Sequence, residues 1–416
     1  MFAILSNYFR PLGKYRSIKF FYKFVLVCLL TSWLVISVTA CNSPSRIIAP
    51  DPIVSECVDK YDPQVDYFPS KTKIKYAQGF TVDYQQNYKV VTVNQPYANA
   101  PSPVQYVLVQ CGTPAPPNFP QAQIISIPVR SIVSLSTTHL PHLEALQILD
   151  RLVGVTDYNI IYWSPELLQI KDKQLTEIGK NYRLNIEKII QLNPDLITAY
   201  GIGNAQDDQY GKLLELGLKV VLNSEYLENS PLARSEWLKF TALFFNQEEL
   251  AEQKFTEIER QYQQIKNLTQ NITRKPKVLT GSVYGGTWSI AGGKSYFAQF
   301  LADAGADYLW QDDDSTASLP LSFEAVFARA NQAEVWLTNH SEWFSLQDIV
   351  KADPRYGELP PFRSGQVFNN NLRVSGGNDF WQGAVLHPEL VLADLVKIFH
   401  PPLVPNHQFI YYQKLK

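Results

Sequence analysis

The sequence predicts a mixed α/β protein with two lobes of mostly parallel sheet, joined by one long rigid helix, and a small β-rich N-terminal extension. Three observations support this fold class. Residues 246–272 read as one uninterrupted amphipathic helix. Alternating strand and helix patterns fill residues 129–245 before it and 274–416 after it, which is typical of parallel sheets. Residues 74–128 contain strands separated by turns and loops.

The long helix has recognisable signals at both ends. Asn246 is a suitable N-cap, and Glu249 can complete a capping box with it. No Gly or Pro interrupts the segment before Pro276. Apolar residues recur about every 3.6 positions. They are Leu250, Ala251, Phe255, Ile258, Tyr262, Ile265 and Ile272. At 1.5 Å per residue the helix spans roughly 40 Å.

A helix of that length could cover a single globule or join two lobes. Residues 186–197 and 323–335 favour the second interpretation, because both run in the order helix, Asn-containing turn, hydrophobic strand. We therefore expect residues 246–273 to connect two lobes of like topology.

The extension is predicted to be a small sheet packed on the first lobe. Residues 80–84 and 88–93 flank a plausible hairpin turn, and residues 106–110 form a third strand. A Pro-rich loop follows. Cys57 and Cys111 are expected to form a disulfide in an oxidising compartment, with two buried free thiols as the alternative.

The N-terminal residues read as an export signal. Five basic residues precede the uncharged run 24–40, and no acidic residue occurs before Asp51. The run ends in Val38-Thr39-Ala40-Cys41, which resembles a bacterial lipobox. We expect a signal peptide at 1–40, a lipid on Cys41 and a tether at 41–73. An uncleaved anchor and a simple secreted protein are the alternatives, and all three place the chain outside the cytoplasm.

The charge balance argues against some partners. A formal net charge of -2 gives no electrostatic basis for binding nucleic acid. A membrane partner is therefore expected only through the lipid anchor.

Five segments together are similar to one known family. They are residues 130–136, 152–157, 186–197, 216–221 and 387–395. In order and spacing they resemble the iron-siderophore and cobalamin periplasmic-binding family, which are the substrate receptors of ABC importers. The resemblance covers about 129–400 and leaves the extension unexplained.

The resemblance implies two α/β lobes with a ligand in the cleft between them. It also implies that acidic residues at the lobe tips dock onto an ABC transporter permease in the bacterial cell envelope. The matching positions are Asp207 or Asp208 in the first lobe and Glu342 in the second. Solvated helix starts are the alternative explanation of these carboxylates.

Ligand contacts are expected in the loops that follow strands, because parallel sheets place their sites there. Aromatic rings suit flat ligands, a helix start suits anionic oxygens, and an Arg can pair with a carboxylate or catecholate. The candidates are His139, Tyr158, Tyr162, Trp163, Tyr200, Tyr284, Trp288, Arg373 and Trp381. Packing or capping for His139 and a surface role for Arg373 remain open.

These expectations favour a binding protein over an enzyme. The predicted cargo is an iron(III)–siderophore or a corrinoid, with haem also compatible. The metal would be held by the chelator, so no cofactor and no protein metal ligands are expected. A receptor for bare zinc or manganese is the alternative, with His139 and His340 at comparable strand ends. GxSxG and HExxH motifs are absent from the sequence, which disfavours a hydrolase.

Overall fold

The structure is a computed structural model that describes residues 57–180, 183–204, 208 and 210–416.

The N-terminal extension is a four-stranded sheet. The sheet has the order β1-β2-β3-β4, with β4 parallel to β3 and the other pairs antiparallel. Its strands are β1 (Phe80–Tyr84), β2 (Tyr88–Val93), β3 (Val104–Gln110) and β4 (Gln123–Ile127). The three strands expected from the sequence are all present, and β4 is an addition.

The disulfide expected from the sequence joins Cys57 to Cys111, with 4.7 Å between the Cα atoms. It fixes the start of the described chain to the loop that follows β3. The backbone N–H of Val58 also donates to the Cys111 carbonyl at 2.9 Å. Residues 57–79 are therefore tied to the sheet although they contain no helix or strand.

The first lobe is a parallel sheet with helices between its strands, as the alternating pattern predicts. The larger sheet has the order β11-β10-β5-β6-β7, and β8 pairs with β9 as a hairpin. The strands are β5 (Ile132–Ser134), β6 (Leu152–Val155), β7 (Thr176–Glu177), β8 (Gly179–Lys180), β9 (Arg183–Leu184), β10 (Leu196–Ala199) and β11 (Val220–Leu222). The helices are α1 (Leu140–Ala145), α2 (Pro165–Lys171), α3 (Ile186–Leu192) and α4 (Tyr210–Glu215).

The extension covers an edge of this sheet. The Gln123 side chain donates to the Val220 carbonyl at 2.7 Å and accepts from the Val220 N–H at 3.1 Å. The Tyr106 hydroxyl accepts from the Leu222 N–H at 2.9 Å. Strand β11 therefore has part of its outer edge satisfied by side chains of the extension, which keeps the edge from pairing with another chain.

Two consecutive helices connect the lobes, α5 (Pro231–Leu243) and α6 (Glu248–Asn267). Helix α5 was not predicted, and every residue in it except Arg234 is buried. It packs against α1 of the first lobe and against α6. Because α5 is enclosed on nearly all sides, it has no polar face for an amphipathic pattern to reveal.

Helix α6 is the long helix expected from the sequence, but it is shorter and its start differs. The N-cap is Gln247 without a side-chain bond, so the expected capping box does not form. The reason is that Asn246 has φ 54° and its side chain is engaged elsewhere. Its Oδ1 accepts from Lys89 at 2.8 Å, and its Nδ2 donates to Gln110 at 2.9 Å.

The predicted apolar face of α6 is confirmed where it is packed. Ala251, Phe255, Ile258 and Tyr262 are buried. The Tyr262 hydroxyl donates to Asp303 of the second lobe at 2.8 Å.

The second lobe repeats the α/β plan. Its main sheet has the order β15-β12-β17-β18-β21, in which only the pairing with β21 is antiparallel. The strands are β12 (Lys277–Thr280), β13 (Ser282–Tyr284), β14 (Thr287–Ala291), β15 (Asp307–Tyr308), β16 (Ser318–Leu321), β17 (Val335–Thr338), β18 (Val367–Asn369), β19 (Val374–Ser375), β20 (Gly377–Asn378) and β21 (Gln413–Lys414). The helices are α7 (Tyr296–Asp303), α8 (Phe323–Ala330), α9 (Leu346–Ala352), α10 (Pro360–Arg363) and α11 (Pro388–Phe399).

Smaller elements complete the second lobe. Strands β13, β14 and β16 form a separate antiparallel sheet, and β19 with β20 forms a short hairpin. Helix α11 packs along α6, and α5 also packs against α7. The part of the chain that the structure describes contains no helix long and apolar enough to cross a membrane.

Candidate ligand-binding cleft

The loops that follow the first-lobe strands surround a cavity of about 510 Å³. All five strands of the larger sheet run in the same direction, so these loops meet at one edge. The polar residues that line the cavity are Ser136, Thr137, Thr156, Asp157, Lys180, Arg183, Tyr200, Asp208 and Tyr210. The cavity therefore lies at the edge of the sheet where parallel topology predicts a ligand site.

A second cavity of about 340 Å³ lies between the lobes. The first lobe contributes Thr137 and Thr138, and Tyr226 lies beside them. The second lobe contributes a wall of aromatic and aliphatic side chains. Its aromatic residues are Tyr296, Phe300, Phe380 and Trp381, and its other residues are Ala384, Val385, Pro388 and Val391. Thr137 lines both cavities, so they are neighbours in one cleft. Each has a volume within the range of about 300–1,000 Å³ that is usual for small-molecule sites.

Arg234 is the charged residue that lines the interlobe cavity. Its side chain is 11% exposed, and that of its partner Glu225 is 3% exposed. Arg234 Nε and Nη2 both donate to Glu225 Oε2, at 2.7 and 2.6 Å. The guanidinium also lies over the Tyr296 ring, 4.2 Å from its centroid. The remaining guanidinium N–H groups can serve an anionic oxygen in the cavity.

Two tyrosines beside the cleft are held as neutral phenols. Burial raises the pKa of Tyr210 and of Tyr226 to about 12, and the nearby Asp208 carboxylate adds to the effect at Tyr210. The Tyr226 hydroxyl donates to the Gly201 carbonyl. At neutral pH both hydroxyls therefore keep their protons and can act as hydrogen-bond donors.

The described residues contain no group of three or more His, Cys, Asp or Glu side chains placed to hold a metal ion. His340 stacks on Trp343 with 4.3 Å between ring centroids. His139 is buried elsewhere, against Thr198. The two histidines considered for a bare-metal site thus have separate surroundings.

The profile of a family described as periplasmic binding protein matches residues 132–370. That range is more than half of the 416-residue chain. The chain belongs to the periplasmic binding protein family. The family recognised from the sequence is confirmed.

Relatives of this periplasmic binding protein agree with that assignment. An uncharacterized lipoprotein of Methanocaldococcus jannaschii is 30% identical over 290 residues, which is 67% of each chain. A heme-binding periplasmic protein of Pseudomonas aeruginosa has a TM-score of 0.52 and 20% identity, covering 66% of this chain and 93% of that one. A periplasmic vitamin B12 binding protein of Vibrio cholerae has a TM-score of 0.50 and 17% identity, covering 65% and 96%. These likenesses show a common two-lobe fold.

Two of the nine ligand contacts predicted from the sequence line the cleft. Tyr200 lines the strand-end cavity and is 43% exposed. Trp381 lines the interlobe cavity and is 44% exposed. Both have accessible ring surface, and their contact with a ligand stays a prediction.

His139 lies behind the cleft wall and not on it. The residue is 3% exposed, and its Nδ1 is 3.1 Å from the Thr198 hydroxyl. Burial lowers the pKa of His139 to about 3, and His142 contributes further. Thr137 and Thr138, just before it, face the cavity. The alternative of a packing role, which the sequence left open, describes this position.

Besides Trp381, four predicted ligand residues lie in an interlobe seam, which we define as residues 158–164 of the first lobe and 373–382 of the second. The Tyr162 hydroxyl accepts from Arg373 Nη2 at 3.1 Å. Trp163 is buried, and its backbone N–H donates to the Ser375 carbonyl at 3.2 Å. The Tyr158 hydroxyl donates to a backbone carbonyl at 2.7 Å. In place of lining either cavity, these side chains join the lobes or pack beside the junction.

The two remaining candidates, on the small sheet of the second lobe, lie outside both cavities. Trp288 is 0% exposed and its Nε1 donates to the Thr280 carbonyl at 3.0 Å, so its ring has no surface for a ligand. Tyr284 is 86% exposed at the β13–β14 turn. Alternation along a strand points neighbouring side chains to opposite faces, and the sequence could not show which face was packed.

The predicted permease-docking residues differ in how they are used. Both Asp208 carboxylate oxygens accept backbone N–H groups, from Ile202 at 2.8 Å and Gly203 at 2.9 Å, so this side chain holds its own loop. Glu342 is exposed. Asp207 and the lipidation candidate Cys41 lie outside the described residues.

Arg234, Tyr210 and Tyr226 were not predicted from the sequence as residues of the cleft. Arg234 had no usable signal, because helix Pro231–Leu243 was itself not predicted and also contains the charged residues Glu236 and Lys239. Tyr210 followed a recognised strand and loop. Tyr226 had no local signal, since its place in the cleft depends on pairings distant in sequence.

Proposed function

We propose that this periplasmic binding protein captures an iron(III)–siderophore or a corrinoid in the interlobe cleft and passes it to an ABC permease. The observation that carries the proposal is a cavity with walls from both lobes and with Arg234, which is paired with the buried Glu225, in its lining. Aromatic walls suit a flat or amphipathic chelate. The arginine suits its carboxylate or catecholate oxygens.

The proposed cargo keeps its metal inside the chelator, so the protein supplies shape and charge with no metal ligands and no cofactor. Proteins of similar fold are named for binding vitamin B12 and heme, which supports a metal chelate as the cargo. A bare zinc or manganese receptor would need three or four converging ligands, and no observation on the described residues favours it.

A binding titration tests the proposal. Full-length protein in detergent is titrated with four probes: ferric tris-catecholate, a ferric linear trihydroxamate, cyanocobalamin and haemin. Binding is measured by equilibrium dialysis and by tryptophan fluorescence. We expect micromolar binding of at least one probe. Trp381→Ala and Tyr200→Ala should each weaken it about tenfold, since a stacked aromatic contact and its area are worth about 1–2 kcal/mol.

Tyr284→Ala is the matched control, because this tyrosine is exposed and lines neither cavity. The affinity of the Tyr284→Ala variant for each probe should equal that of the unchanged protein. Failure of all four probes to bind, together with a rise in melting temperature on adding Zn²⁺, would favour the bare-metal alternative instead.

We further propose that Cys41 carries a lipid that holds the protein at the outer face of the membrane, and that Glu342 takes part in permease docking. The lipoprotein name of a relative supports the first point, and exposure of the carboxylate supports the second. Mass spectrometry of the N-terminal peptide tests lipidation, and an unmodified Cys41 in membrane-bound protein would contradict it. Charge reversal, Glu342→Arg, should reduce chelate uptake without changing chelate affinity.

A further inference from the structure

The loop between β2 and β3 leaves the N-terminal sheet and reaches the strand-end edge of the first lobe. This loop, residues 94–103, lies outside the part of the chain that matches the family. Pro96 is buried, and its carbonyl accepts from the Ser224 hydroxyl at 2.7 Å. The Ala98 backbone is hydrogen-bonded to Tyr226. The loop is thus anchored at two successive points to the segment that follows β11.

Tyr97, between these anchors, lies against the Gly201–Gly203 turn. A methyl group added at Gly203 would be 3.0 Å from Tyr97 Cδ2, and one added at Gly201 would be 3.3 Å from Tyr97 Cδ1. Gly203 also has φ +79°, a conformation that side chains rarely adopt. The close approach of the tyrosine to this turn therefore depends on glycine.

Tyr97 also forms a wall of a further cavity, together with Arg183, Asp208 and Tyr210. Those three residues line the strand-end cavity as well, so the further cavity is its outward continuation. Lys212 adds a second cation there, and Glu215 adds a second carboxylate. The outer part of the cleft thus combines phenol rings with two cationic and two acidic side chains, and one of its walls comes from the loop of the N-terminal sheet.

We propose that Tyr97 contacts the ligand and helps to determine its identity, by receiving the part of a chelate that extends past Tyr210. The chemistry on offer is an aromatic or anionic rim group, packed on the Tyr97 ring and paired with Arg183. The inference rests on the proposed function and gives the N-terminal sheet a role in it. The sheet lengthens the cleft beyond what the two lobes supply.

Two measurements on the full-length protein test this inference, using the four probes named above. Tyr97→Ala should weaken the tightest-binding probe about tenfold, as expected for loss of one ring contact. Tyr88→Ala is the matched control, because Tyr88 lies in the same sheet and packs on Phe119 with 6.0 Å between ring centroids. Its affinity should be unchanged.

The second measurement uses the unmodified protein and so does not depend on whether a variant folds. Tetranitromethane nitration is mapped by mass spectrometry with and without the bound probe. We expect the probe to protect Tyr97 and to leave Tyr284 reactive.

The outcomes separate the two proposals. Binding by the unmodified protein with no protection of Tyr97 overturns the inference and leaves the proposed function standing. A Tyr97→Ala variant that is folded and binds as tightly as Tyr88→Ala overturns it in the same way. Absence of binding to every probe refutes the proposed function itself, and the inference with it.

Discussion

Replacing Arg234 by methionine removes one half of the buried ion pair whose arginine lines the interlobe cavity. The Glu225 side chain is 3% exposed, and Arg234 is its salt-bridge partner at 2.6 Å. Methionine has a similar length but no charge, so the carboxylate would lose two charge-assisted hydrogen bonds without gaining access to water. Breaking a buried pair on one side typically costs about 3–5 kcal/mol, and we expect Arg234→Met to lower the free energy of unfolding by that amount.

A double variant separates the charge from the packing. In Arg234→Met/Glu225→Gln no unpaired charge stays buried, so most of the lost stability should return, because apolar replacement of a buried pair is often close to neutral. The matched control is Arg130→Met. The Arg130 side chain is 78% exposed and 3.7 Å from Asp195, and exposed pairs contribute about 1 kcal/mol or less.

Urea unfolding followed by circular dichroism measures all three variants against the unchanged protein. If Arg234→Met costs no more than Arg130→Met, the Arg234–Glu225 pair is not sealed from water and the reasoning fails. The double variant, which should be nearly as stable as the unchanged protein, is then used to measure chelate affinity. Loss of one hydrogen bond to a charged group is worth about 1.5–3 kcal/mol, so affinity for anionic ferric tris-catecholate should fall about 10- to 100-fold. Affinity for uncharged cyanocobalamin should change less.

Three further predictions concern stability. Burial lowers the pKa of His139 and His142 to about 3, so the unfolded chain binds more protons below pH 6.5, and each histidine should cost about 2 kcal/mol of stability at pH 5. Urea unfolding at pH 5 and above pH 6.5 measures this loss of stability, and His142→Gln should halve it. A loss that His142→Gln leaves unchanged would contradict the prediction. Gly377→Ala sets a methyl group 2.0 Å from a backbone carbonyl oxygen and should destabilise by over about 2 kcal/mol, whereas Gly211→Ala, with nothing within 4 Å, should not. Replacing both cysteines of Cys57–Cys111, which are 54 residues apart, should cost about 4 kcal/mol by loop closure; a melting temperature unaffected by the replacement would count against that.

Local patterns were enough for most of the elements but not for all the packing. The hairpin Phe80–Tyr84 and Tyr88–Val93 was readable because alternation and turn residues are local. Helix Glu248–Asn267 was readable because one face is polar. Helix Pro231–Leu243 was not, since burial on nearly all sides erases periodicity and its charged residues find partners inside the fold.

The site was harder to predict than the fold, because its geometry depends on contacts far apart in sequence. Strand ends pointed to Tyr200, which lines the strand-end cavity. The same rule also selected Tyr162 and Arg373, which are 211 residues apart and hydrogen-bond to each other. Each of the two is a residue type that is expected to contact a ligand when it is considered alone. Only the pairing of the lobes determines that they face each other and not a cavity.

This seam has a consequence for how the cleft can work. The Gly377 N–H donates to the Ile161 carbonyl at 2.8 Å, and the Gln382 side chain bonds both backbone groups of Tyr162, at 3.0 and 2.8 Å. Opening the lobes at the seam would break several such bonds at about 1 kcal/mol each. It would also expose part of helix Pro231–Leu243, whose Ser235 hydroxyl donates to the Val385 carbonyl of the second lobe at 2.9 Å. Large hinge opening is therefore disfavoured, and we expect ligand to enter a largely preformed cleft whose walls adjust by small movements.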